Sequence, residues 1–197
     1  MWFILSLIAL LCWSGSDLFS KIGCRDNDDK YGHLKMVMAV GLVMGLHAAY
    51  EIFIGGTEIS WSIIITYLPV SLLYISSMTL GYLGLRYIEL SVSSPICNAS
   101  GALAAILTLI FVGSDGYSSL ALFAIALVCV GVIGLGVVDA TENPEIREIR
   151  QAEGNYKYAK SFLAIALPIV YCILDAAGSF ADNRVLETLE ESSANVA

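Results

Sequence analysis

R-Y-I-E-L-S-V-S-S-P-I-C-N-A-S-G-A-L-A-A, from Arg86 to Ala105, is the stretch that decides how this chain folds. It joins two long apolar runs, residues 61–85 and 92–112. Each run is roughly twenty residues, enough for a helix to cross a bilayer core. The connector holds only about six residues, so the two helices are antiparallel neighbours. The second run opens on Ser91, Ser93, Ser94, Pro95, Asn98, Ser100 and Gly101. Pro95 is expected in the first helical turn, where its missing N–H costs nothing. Ser94, Asn98, Gly101 and Ala105 recur at helical spacing and form a small polar stripe. Such a stripe belongs against another helix or a wet cavity, not against lipid.

Composition agrees with that reading. The 197 residues are 57% hydrophobic and 14% charged, with a mean hydropathy of +0.76. A soluble domain carries about a quarter charged residues. The apolar residues are also gathered in blocks with no polar face, which a soluble bundle would need. The expected fold class is therefore an all-α integral membrane protein, a bundle of six transmembrane helices in the cell membrane. The net charge of −8 comes from loops and tail and argues against nucleic acid as a partner. The five cysteines show neither metal-site spacing nor a disulfide framework, and nothing in the chain points to a cofactor or a metal.

Working outward, a first helix is expected over residues 2–23. It carries Trp13, Gly15, Ser16, Asp17 and Ser20 in its second half, then Lys21 near the boundary. Its start lacks the basic residues of a signal peptide. A second helix, residues 34–54, holds Gly41-x-x-x-Gly45, a spacing that lets another backbone approach closely. His47 and Glu51 lie one turn apart near its end. The third helix shows Tyr67, Ser71, Tyr74, Met78 and Tyr82 on one face. The fifth, residues 118–138, has Gly131, Gly134 and Gly136 as a close-packing or self-association face. A polar linker follows at residues 139–160, with a short surface helix expected after Pro144. The sixth helix, residues 161–181, contains Pro168, Tyr171, Asp175 and Gly178, and the chain ends in an acidic tail.

Orientation follows from basic residues. Lys21, Arg25, Lys30 and Lys35 flank the first loop, Arg86 lies in the third, and Arg147, Arg150, Lys157 and Lys160 lie in the fifth. The second and fourth loops have none, so the odd loops are expected on the cytoplasmic side and the amino terminus outside. Gly15-Ser16-x4-Lys21 in the first helix is echoed by Gly178-Ser179-x4-Arg184 in the sixth. Five helices from one copy to the next would invert the second copy, as in inverted-repeat transporters. On that expectation the chain is one five-helix repeat (residues 1–138), the linker, and the first helix of a second, truncated repeat (residues 161–197).

The hairpin R-Y-I-x-x-S-V-S-S-P-I-x-N-x-S-G-A resembles the third-to-fourth helix junction of the EamA branch of the drug/metabolite transporter superfamily. Helix count, loop lengths, the middle linker and the Lys21 ending extend the resemblance over essentially the whole chain. It implies a ten-helix permease made of two inverted five-helix repeats, moving a metabolite, amino acid, sugar or drug. Two departures matter. Many relatives are described with the amino terminus in the cytoplasm, whereas the Lys and Arg count here places it outside. The small multidrug-resistance branch has a membrane glutamate eight residues before the lysine that ends helix one, and Trp13 stands there. That puts proton-coupled export of cationic drugs in doubt.

A carboxylate within a membrane helix costs about 2.5–3.5 kcal/mol on insertion scales, so Asp17 and Asp175 are the strongest functional candidates. Asp17 has the alternative of pairing with Lys21, one turn away. Trp13, Ser16, Tyr74, Ser94, Asn98 and Tyr171 complete the expected solute-binding set, around a cavity between the first, third, fourth and sixth helices. The expected partners are the bilayer, a small polar solute and a second copy through the glycine faces. A non-transporting assembly protein is the rival reading. An intramembrane aspartyl protease fits poorly, because Gly134-Leu135-Gly136 is followed by Val137 and not by an aspartate. The chain is not expected to be an enzyme.

Overall fold

A computed structural model describes residues 2–24, 29–113, 117–141, 143, 145–146, 149 and 162–188. Among these the regular elements are all helices: α1 Trp2–Cys24, α2 Gly32–Phe53, α3 Trp61–Gly84, α4 Leu90–Asn98, α5 Ser100–Phe111, α6 Ser119–Thr141 and α7 Phe162–Leu186. Four spans, with α4 and α5 counted together as one, are long and apolar enough to cross a membrane. The linker after Thr141, including the short helix expected there, and the acidic tail fall largely outside the described residues.

The bundle is built around α3 and α7, which pack antiparallel along their length. Their seam is made of small residues. Ser77 and Ala176 are fully buried, and Gly81, Gly84 and Gly178 are buried beside them. A Cβ on Gly81 would stand 2.6 Å from Tyr171 Cδ2, and one on Gly84 would stand 3.4 Å from Leu167 Cβ. Gly178 in turn receives the Tyr74 ring. Small residues let the two backbones approach until dispersion contacts hold them, which is the main attraction available between helices in lipid. Replacing Gly81 by valine forces the Tyr171 ring aside. We expect a loss of about 1–3 kcal/mol from overpacking, read as a lowered midpoint in denaturant titration of the detergent-solubilised chain, with Gly101→Val, where a Cβ meets nothing within 4 Å, as the matched control.

The large apolar side chains point the other way. Phe3, Leu11, Met38, Phe53, Ile65, Leu120 and Phe123 are all more than half exposed, while the buried set is mostly small or polar. A soluble monomer rarely shows such continuous apolar surface.

Turn chemistry sets the zigzag. After α2, Gly56 takes a φ of 74°, and after α5, Gly113 takes 114°, both favoured by glycine. Ser60 caps α3, its hydroxyl accepting the Ile63 N–H at 3.3 Å. At the opposite end, Arg86 Nη1 donates to the Lys30 carbonyl at 2.6 Å, so the first and third loops lie together. Asp29 in that first loop accepts from Lys35 Nζ at 2.7 Å and from Tyr31 N–H at 3.1 Å. The lysine, then the backbone donor, hold its carboxyl below the usual range.

Three expectations change. The fourth helix begins at Leu90, so Pro95 lies inside it and not in its first turn, and the helix breaks at Ala99. At the break the Ala99 N–H turns from the Pro95 carbonyl, its helical partner, to that of Ile96 at 3.3 Å, while the Asn98 side-chain amide adds a bond to the Ser94 carbonyl at 2.8 Å. The sixth helix continues past Ala181 to Leu186. Finally, a Cβ at Gly41 or Gly45 would meet nothing within 4 Å, so the close approach expected there is not made within this chain.

Candidate functional site

The polar stripe of α4 faces α1. Ser94 Oγ donates to Asp17 Oδ2 in a short hydrogen bond, and Asn98 Nδ2 reaches the same oxygen at 3.2 Å. Asn98 also touches Ser94 Oγ at 3.0 Å, so the three side chains form a closed triad across two helices. Lys21, one turn further along α1, is buried and donates to the carbonyls of Leu85 and Ile88, the latter at 2.7 Å. Those carbonyls lie just past the end of α3, where the partial negative charge of the helix favours a cation.

This triad forms one wall of a half-open cleft with an enclosed volume of about 50 Å³. Trp13, Ser16, Asp17 and Ser20 come from α1, and Met78, Gly81 and Tyr82 from α3. Ser93, Ser94, Cys97 and Asn98 come from α4, and Tyr171 from α7. Of the eight expected residues, Trp13, Ser16, Asp17, Ser94, Asn98 and Tyr171 line this cleft. Tyr74 and Asp175 do not.

Asp175 stands behind it. The hydroxyls of Ser100 and Ser77 are its hydrogen-bond neighbours. Ser100 is the first residue of α5, so the carboxyl faces the positive end of a helix that starts inside the bundle. Tyr171 lies within electrostatic reach of both Asp17 and Asp175 and so links the cleft wall to this inner carboxyl.

Tyr74 belongs to another group. Its hydroxyl lies 3.3 Å from Ser179 Oγ and 3.4 Å from Asp182 Oδ2, while Tyr67 donates to Asp182 Oδ1 at 2.7 Å. The tyrosine stripe of α3 is therefore divided: Tyr67 and Tyr74 turn to α7, whereas Met78 and Tyr82 turn to the cleft. Asp182 was not among the expected site residues, because the sixth helix was expected to stop at residue 181. A signal was present, since Asp182 lies seven residues, two helical turns, after Asp175. Ser20, Ser93 and Cys97 were likewise missed; alone, each looks like a small packing residue. His47 Nε2 stands 3.8 Å from Glu51 Oε1 with the imidazole largely exposed, an edge pair far from the cleft.

The five cysteines are free thiols, and among the described residues no cluster of three metal-ligating side chains forms. Chemically, the cleft offers hydrogen-bond donors and acceptors, one carboxylate and three aromatic rings. No family model, curated protein or solved structure matches the chain.

Proposed function

We propose that this chain is part of a membrane-embedded secondary transporter of the EamA type, which binds a small polar solute in the cleft between α1, α3, α4 and α7. The supporting observation is where the polar atoms go. A chain whose large apolar side chains face outward turns Ser16, Asp17, Ser94 and Asn98 into one cleft. Polar groups placed this way in a membrane bundle mark solute or ion pathways. The break at Ala99 supports the same reading, because discontinuous helices with half-helix ends facing charged groups are a recurring feature of transporter sites. The start of α5, which Asp175 of α7 faces, is such an end.

The test is uptake by proteoliposomes of labelled amines, amino acids, sugars and nucleobases. At least one is expected to enter above protein-free vesicles. Asp175→Asn keeps the Ser100 hydrogen bond and loses the charge, so it is expected to slow that uptake by on the order of tenfold with half-saturation unchanged. Uptake that is equal in the variant removes Asp175 from the mechanism, and no uptake of any solute counts against transport.

One observation favours a second reading, a membrane assembly protein. Gly41, Gly45, Gly131 and Gly134 leave bare helix surface on which a Cβ would meet nothing within 4 Å. Such surfaces suit close packing against another copy.

A further inference from the structure

We infer that the solute carries an ammonium group, held by Asp17 and faced by the rings of Trp13, Tyr82 and Tyr171. The inference rests on the cleft being a solute site and adds the charge of what it takes. Asp17 is the one charged side chain among the residues that line the cleft. Its own donors, Ser94 and Asn98, are neutral and among the described residues both go to Oδ2. Oδ1 is left for a solute. Lys21 does not line the cleft, and its ammonium is directed to the Leu85 and Ile88 carbonyls, where the end of α3 meets its charge.

The rest of the lining fits the same class. Trp13, Tyr82 and Tyr171 come from three different helices and bring three aromatic side chains to one cleft. Aromatic faces attract a desolvated cation and offer nothing comparable to an anion. Met78 and Cys97 add polarizable sulfur. A carboxylate with two neutral donors in a weakly polar wall favours a positive ligand over a neutral one and disfavours a negative one. The site is therefore built for a compact amine or quaternary ammonium compound.

The test uses the full chain in nanodiscs and three probes of one shape: choline, its uncharged analogue with carbon in place of nitrogen, and the corresponding carboxylate. Calorimetric titration, with empty nanodiscs subtracted, is expected to show choline binding about tenfold or more tighter than either of the others. Asp17→Asn should erase that preference, bringing choline to the affinity that the uncharged analogue shows on the same variant. Trp13→Leu, at an exposed position that the fold does not depend on, should weaken choline selectively. Equal affinity for the three probes, or a choline preference that survives Asp17→Asn, overturns the inference. Uptake is scored apart from binding. Choline-selective binding without uptake upholds the solute class and counts against transport. Uptake of the carboxylate in place of choline upholds transport and overturns the class.

Discussion

Replacing Lys21 by methionine is expected to cost about 3 kcal/mol of stability. The reason is local. Lys21 is buried, and its ammonium donates to two carbonyls just beyond the last turn of α3. Hydrogen bonds to charged groups are worth about 1.5–3 kcal/mol each, and leaving buried acceptors unpaired adds to the loss. Methionine keeps the aliphatic length and removes every donor, so packing alone does not explain the effect. The same bonds fasten α1 to the connector between α3 and α4, residues 85–89, on which the α4 wall of the cleft depends. Lys21→Arg keeps donors and charge and should restore more than half of the loss. Reversible denaturation in mixed micelles measures both variants. An unchanged midpoint for Lys21→Met would show that these two carbonyls find other partners.

The second large effect is expected at Asp182. Its two carboxylate oxygens are used separately, Oδ1 by Tyr67 and Oδ2 by Tyr74, and both tyrosines belong to α3. Asp182→Ala strands the half-buried Tyr67 hydroxyl and leaves Tyr74 with Ser179 alone, and should destabilise the bundle by about 2 kcal/mol. Tyr67→Phe removes the hydroxyl and leaves the ring, so it should cost less. A double-mutant cycle between these two substitutions is expected to show a coupling of about 1–2 kcal/mol, at the upper end of what interhelical hydrogen bonds supply in a membrane. Additivity within about 0.3 kcal/mol would show that the 2.7 Å contact contributes nothing that water or another partner does not replace.

Much of this architecture is legible in the chain itself. Long apolar runs separated by short Gly- and Ser-rich turns fix where the helices lie and that neighbours run antiparallel. The polar stripe Ser94, Asn98 and the single carboxylate Asp17 could be picked out because polar side chains are conspicuous in apolar sequence, and they meet in one triad. What was hidden depends on partners distant in the chain. The break at Ala99 is a shift of one backbone N–H from the Pro95 to the Ile96 carbonyl, and side-chain periodicity does not register it. The end of α7 was hidden for a related reason. Ala181-Asp182-Asn183-Arg184 reads as the start of a polar tail until two tyrosines more than a hundred residues earlier accept Asp182 into the bundle. The tyrosine stripe misled in the opposite sense. Its regular spacing suggested one face, yet a helix at the centre of a bundle has neighbours on several sides, and the stripe is shared between them.

The interruption at Ala99 has a chemical consequence. The segment before it is tied to α1 through Ser94, Asn98 and Asp17, whereas the segment after it begins at Ser100, beside Asp175 of α7. Both segments also rest on α7. One span thus serves two acids carried by two different helices, its first half turning its polar side to one and its second half opening toward the other.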